Sequence, residues 1–162
     1  MKSFYLILIS FTFLFLSCNS DDDDTTENTI ESLVFGKYSG ECLENCFTVF
    51  KIDTEKITKD TTVKYYSNDF TFKSSFVYSK EVFEKYNSLL SSIPNELKNG
   101  TGKTYGCPDC ADQGGFCFIL QMSDGKIKKY NVDVANTEDQ STEIVVFKNK
   151  ITNTIEELRV ID

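Results

Sequence analysis

The sequence predicts an α+β fold: an antiparallel sheet of about six strands in the order ββββ-α-ββ-α, with the helices packed on one face. Three observations predict it. Phe70, Phe72, Phe76 and Tyr78 fall on one side of an alternating run, with Thr71, Lys73 and Ser75 on the other, which is the period of a half-buried strand. Val82, Phe83, Tyr86, Leu89, Leu90 and Ile93 then recur at three- and four-residue spacing, which is one face of a helix. Asp124-Gly125 joins two apolar runs, Phe116 to Met122 and Ile127 to Val134, and suits the φ > 0 positions of a hairpin turn.

The remaining elements follow in order. Glu31 to Tyr38, Phe47 to Ile52 and Thr61 to Tyr66 read as the first three strands, and the alternating run from Phe70 as the fourth. Ser79 suits a helix N-cap, with Glu81 favourable in the first turn, and Pro94 marks the end. Tyr105 to Gly115 carries Pro108 and three glycines and reads as a loop. Ile144, Phe147, Ile151, Ile155 and Leu158 define a closing helix, and Thr137 with Gln140 matches a capping box for its start.

The beginning of the chain is organised differently. Lys2 precedes an apolar run from Phe4 to Leu16, broken only by Ser10 and Thr12, and small Ser17 precedes Cys18. That is the layout of a signal peptide over residues 1–17. It is short of the roughly 20 apolar residues a membrane span needs. Phe15-Leu16-Ser17-Cys18 resembles the lipobox of bacterial lipoproteins, with Phe15 where leucine is usual. The resemblance implies acylation of Cys18, and each buried acyl CH₂ contributes about 0.8 kcal/mol to membrane attachment. Residues 18–29 then read as an anchor and acidic tether, too polar to order themselves. Ser20, Asp21, Asp22, Asp23 and Asp24 resemble the surface-export signal of Bacteroidota lipoproteins, which implies a lipid-anchored protein on the outer face of the outer membrane. Residues 30–162 form one expected globular domain.

Charge narrows the partners. The chain carries a net formal charge of −8, and losing residues 1–17 removes only Lys2 from that balance. A nucleic-acid partner, which needs a basic surface, is disfavoured. The expected contacts are the membrane through the lipid, and a protein or glycan partner. Nothing fixes the oligomeric state.

Five cysteines follow Cys18: Cys42, Cys46, Cys107, Cys110 and Cys117. An extracytoplasmic setting favours disulfides. An odd count leaves one over, and Cys117 lies in the apolar run Phe116 to Leu120, where a buried thiol is at home. Spacing alone leaves the pairing open. A local loop contributes about 2 kcal/mol and a long Cys46–Cys107 crosslink about 4, yet local pairs require no coincidence of fold and are the expectation.

Cys42-Leu43-Glu44-Asn45-Cys46-Phe47, together with Tyr105-Gly106-Cys107-Pro108-Asp109-Cys110 and the glycines that follow, resembles a group of uncharacterised small lipoproteins of Bacteroidota. They share a Cys-x₃-Cys strand start and a Gly-Cys-Pro-Asp-Cys loop. The resemblance implies localisation and architecture. It implies no reaction.

Chemistry is constrained by the lack of histidine, which removes His-based triads and His metal ligands. No catalytic residue, cofactor or metal is expected. Asp109 and Asp112 share a loop, but nothing marks them as an acid/base pair, and they read as turn-forming. Two alternatives compete with a non-enzymatic module. Cys42, Cys46, Cys107 and Cys110 could supply a Cys₄ zinc site, although the two knuckles are far apart for one. Cys107 and Cys110 could act as a thiol-disulfide oxidoreductase, although neighbouring Asp109 and Asp112 disfavour a thiolate. Asp60-Thr61-Thr62 and Asp24-Thr25-Thr26 also resemble an O-glycosylation motif of Bacteroidota.

Overall fold

The computed structural model describes residues 29–161. The signal segment, Cys18, Ser20 and Asp21 to Asp24 lie outside the described residues. Among the described residues the fold is α+β, with one mostly antiparallel sheet and three helices. The strands are β1 (Ile30–Tyr38), β2 (Phe47–Asp53), β3 (Ile57–Lys59), β4 (Phe76–Val77), β5 (Thr104–Tyr105), β6 (Gly115–Met122) and β7 (Ile127–Asp133). They lie in the order β4-β3-β2-β1-β6-β7-β5. Only β5 runs parallel to its neighbour, β7. The helices are α1 (Lys80–Tyr86), α2 (Asn95–Asn99) and α3 (Thr142–Val160).

The register explains both faces. Phe35 lies opposite Phe50 on one side and Phe118 on the other, and Phe118 opposite Tyr130. Opposed residues point the same way, so these rings form one face with Leu33, Ile52 and Leu120. All three helices bury their apolar residues here: Tyr86 of α1, Leu97 of α2, and Ile144, Phe147, Ile151, Ile155 and Leu158 of α3. Buried tyrosines keep their hydroxyls bonded: Tyr78 donates to the Leu158 carbonyl at 2.9 Å and Tyr130 to the Leu97 carbonyl at 2.8 Å.

The other face carries Val34, Tyr38, Phe47, Val49 and Cys117. Gly36 is needed there, because a Cβ would sit 2.6 Å from the Phe47 ring. Among the described residues, no helix covers this face. The segment between β3 and β4 crosses it, packing Val63, Tyr66, Phe70 and Phe72 onto the sheet.

That crossing corrects the expected strands. Thr61 to Tyr66 is not a strand, and Phe70 to Tyr78 does not present one face. Phe70 and Phe72 pack behind the sheet, Phe76 is partly exposed on β4, and Tyr78 reaches the helix-covered face. The cause is Asp60, 4% exposed. Its carboxylate accepts hydrogen bonds from the Thr62 hydroxyl and from the N–H groups of Thr62, Val63 and Lys73, at 2.7–3.2 Å. Both ends of the crossing are thereby tied to one buried side chain, and its backbone is bonded there instead of in a ladder. The sheet has seven strands, not six, and the element order is ββββ-α-α-βββ-α.

Two helix boundaries also differ. The helix from Ser79 is α1 and ends at Tyr86; a 3₁₀ turn, Asn87–Leu89, follows, and Pro94 caps α2. Proline fixes its own φ and serves at a helix start as readily as after an end. Helix α3 begins after Ser141, whose hydroxyl accepts from Ile144 N–H at 3.4 Å, so Thr137 is not its cap. Thr137 instead closes a turn with Gln140.

Candidate functional site

Three connections meet at the end of the sheet where β1 and β7 finish. The first, between β1 and β2, holds Cys42 and Cys46, joined by a disulfide with Cα atoms 5.4 Å apart. Asn45 takes a left-handed conformation at φ 56°, and Ser39 N–H closes the loop onto the Cys46 carbonyl at 3.0 Å. The result is a stiff tip. Leu43 stands 93% exposed on it, and the Tyr65 hydroxyl donates to the Leu43 carbonyl at 3.1 Å.

The second connection precedes β6. Cys107 and Cys110 are joined by a disulfide, with Cα atoms 5.5 Å apart, and both residues are exposed. Asp109 and Asp112 occupy left-handed conformations at φ 68° and 53°. They form the turns the loop needs: Asp109 N–H donates to the Gly114 carbonyl, and Gly114 N–H to the Asp109 carboxylate. Asp109 also lies against Gly40, so the two stapled loops touch.

The third connection, residues 134–141, is the platform for the second. Gly106 N–H donates to Asp139 at 2.9 Å, and Cys107 N–H to Asp133 at 3.0 Å. The Thr137 hydroxyl and then the Gly106 N–H hold the Asp139 carboxyl below its ordinary pKa. Beneath it Lys148 of α3 is 3% exposed. Its ammonium donates to the carbonyls of Asp133, Val134 and Ala135 and to the Gln140 side chain, at 2.8–3.0 Å. Burial lowers its pKa, and the Asp133 carboxylate opposes that.

Cys117 is elsewhere. It lies on the far face, 2% exposed, as a free thiol beneath Tyr66. Burial pushes its pKa up to about 11. Tyr66 stacks on Tyr38 with centroids 4.3 Å apart and donates its hydroxyl to Asn131 at 2.5 Å. The structure thus brings Cys42 to Cys46 and Cys107 to Cys110, and brings Cys117 to neither pair. Among the described residues, no three cysteines or carboxylates gather as a metal-holding group, so the four-cysteine zinc arrangement does not form. Cys107 opens a turn rather than a helix, so no helix dipole supports a thiolate there.

Sequence reasoning missed the polar depression beside the first stapled loop. It occupies about 300 Å³ between that loop, β1 and the last turns of α3. A second depression of about 290 Å³ adjoins it and shares Asn45, Thr48 and Arg159. Arg159 is the only arginine of the chain. Its position in the last turn of α3 was legible as a favourable cation at a helix C-terminus, but its spatial neighbours were not. Among the described residues, no helix is long and apolar enough to cross a membrane. No known protein family matches the chain, and no curated protein matches it.

Proposed function

We propose that this protein is a lipid-anchored, non-enzymatic binding module of the outer membrane. On this reading it is acylated at Cys18, exported to the cell surface through Ser20 and Asp21 to Asp24, and akin to the Bacteroidota lipoproteins it resembles. It engages a protein or glycan at the end of the sheet that bears the stapled loops. One observation carries the reading. The chain enters the sheet at Ile30, and both stapled loops lie at the other end of the nine-residue strand β1. At about 3.3 Å per residue that is roughly 30 Å. A domain tethered ahead of Ile30 would hold its stiff loops and exposed Leu43 away from the membrane.

The test is acyl labelling and surface protease shaving of cells carrying the full chain. Wild type should label and be shaved, Cys18→Ala should lose the label, and replacing Asp21 to Asp24 by asparagine should abolish shaving. Labelling that survives Cys18→Ala overturns the anchor. Unchanged shaving without the aspartates overturns the export signal.

The exposure of both Cys107 and Cys110 favours a second reading, thiol-disulfide exchange at that pair. It requires that reduced protein cleave a disulfide substrate and that Cys107→Ser remove the activity. Absence of turnover with insulin as substrate rejects it.

A further inference from the structure

We infer that the open part of the far face binds a small dianion with an apolar middle, a linear dicarboxylate, held between Lys51 and Lys129. The site lies toward the end where the chain enters the sheet, and it is independent of what the stapled loops engage.

The register builds it. Lys51 of β2 lies opposite Val34 of β1, Val34 opposite Ile119 of β6, and Ile119 opposite Lys129 of β7. Opposed residues point the same way. One row across four neighbouring strands therefore reads lysine, valine, isoleucine, lysine. Phe70 and Phe72 of the crossing segment add aromatic walls, and the resulting depression measures about 290 Å³. That is at the small end of the range for ligand pockets.

Charge selects the occupant. Among the described residues, no carboxylate lines this depression. That is unexpected in a chain with 25 acidic against 17 basic side chains. Lys51 is half-buried, yet among the described residues its ammonium makes no hydrogen bond and no ion pair. Lys129 has one long bond, to the Asn68 carbonyl at 3.4 Å, and no acidic partner. The flanking acids are occupied. Asp53 accepts the N–H groups of Glu55 and Lys56 at 2.8 and 2.9 Å, and Glu31 accepts from the Gln121 side chain at 3.3 Å.

Lysines on a sheet commonly guard an edge against pairing. That accounts for Lys129, since β7 extends past its two-residue neighbour β5. It does not account for Lys51, whose strand is paired on both sides. Spacing sets the length of the ligand. Adjacent strands lie about 4.8 Å apart, so the Cα atoms of the two lysines are separated by about 14 Å. Upright side chains, each closing on a carboxylate at about 2.8 Å, leave about 8–9 Å between the outer oxygens. An extended adipate spans that distance. Its methylenes lie over Val34 and Ile119, which favour burial of apolar surface.

The experiment titrates the full chain in detergent micelles, at constant ionic strength in chloride, with sodium adipate, sodium hexanoate and adipamide. The three probes carry two charges, one and none on the same carbon chain. The readouts are calorimetry and the methyl resonances of Ile119 and Ile127, both of which line the depression. Saturable binding of adipate with shifts at both isoleucines is expected. Hexanoate should bind roughly tenfold more weakly, the loss of one charge-assisted bond, and adipamide should give no saturable shift. Lys51→Gln and Lys129→Gln should each bring adipate down to the level of hexanoate while keeping the wild-type unfolding midpoint, which separates a lost ligand from a lost fold. Lys80→Gln, on the exposed side of α1, should change nothing. The proposal is overturned if adipate does not saturate, if hexanoate or adipamide binds as well as adipate, or if Lys80→Gln weakens binding as much as Lys51→Gln. A negative result leaves lipid labelling and surface shaving untouched, so the anchoring reading stands or falls separately.

Discussion

On one face of the sheet, three helices bury a continuous set of side chains from Leu33 to Leu158; on the other, a stretch without regular structure lays Tyr66, Phe70 and Phe72 over Tyr38, Phe47 and Cys117. Helices satisfy their own backbone groups, so the first face closes chiefly by packing. An irregular cover must find partners for its N–H groups elsewhere. Here Asp60 supplies them. The helical side has a counterpart in Lys148, which fastens the connection from Asp133 to Gln140. In both places one buried charge takes the role that a ladder or helix plays elsewhere. Its cost of burial is offset by several bonds to a single group.

The comparison can be broken or sharpened by substitution. The largest effect is expected from Phe118→Ala, which empties a fully buried site between the sheet and Phe147. A loss of about 3–5 kcal/mol in denaturant unfolding is expected, with protection lost across the whole domain. Asp60→Ala should cost about 3 kcal/mol through unsatisfied donors. Its signature should be regional: hydrogen exchange accelerates over residues 60–75, and Cys117 reacts with a thiol reagent while α3 stays protected. Uniform loss of protection would show that the two faces are one cooperative unit. Next, Lys148→Met should cost about 2 kcal/mol and loosen the Gly106 and Cys107 N–H groups in exchange. The smallest effect belongs to Tyr66→Phe, about 1 kcal/mol, since the hydroxyl's bond to Asn131 and its contact with the Cys117 thiol are lost while the ring stays stacked.

Acid provides an independent test of Asp60. Burial raises its pKa, but the bonds from the Thr62 hydroxyl and from the Lys73, Thr62 and Val63 N–H groups outweigh it, and the net value lies below the ordinary one. A depressed carboxyl stabilises the fold above its unfolded pKa, and that contribution fades as pH falls through the folded value. Exposure of Cys117 should therefore begin below about pH 4. Asp60→Asn should remove that pH dependence. A wild-type cover that stays closed under acid would argue against Asp60 as its fastening.

What the sequence made legible was what neighbouring residues decide. The apolar runs of β1 and β2, the Asp124-Gly125 turn and the apolar stripe of α3 each lie within one segment; the strands form within a residue or two of expectation, while α3 starts at Thr142, later than the Thr137 capping box suggested. The alternation of Phe70 and Phe72 was legible as burial. It was not legible as a crossing, because the donors that hold it converge on Asp60 from residues up to 13 positions away. The cysteine spacing was visible, and so was the apolar setting of Cys117. Arg159 was visible only as a helix-end cation. Its nearness to Lys59 of β3, distant in sequence, depends on how α3 packs on the sheet, which no local pattern encodes.

The central position of β1 has a mechanical consequence. The chain ahead of Thr29 leads directly into a strand that pairs on both sides, with β2 and with β6. Ladder hydrogen bonds run across the strands. A pull on that leading segment therefore acts along β1 and loads both ladders in shear, so that many bonds share the force. An edge strand pulled sideways would instead unzip one pair at a time. The domain thus takes up load through its stiffest direction, and dragging on its leader strains the middle of the sheet before it disturbs the loops at the far end.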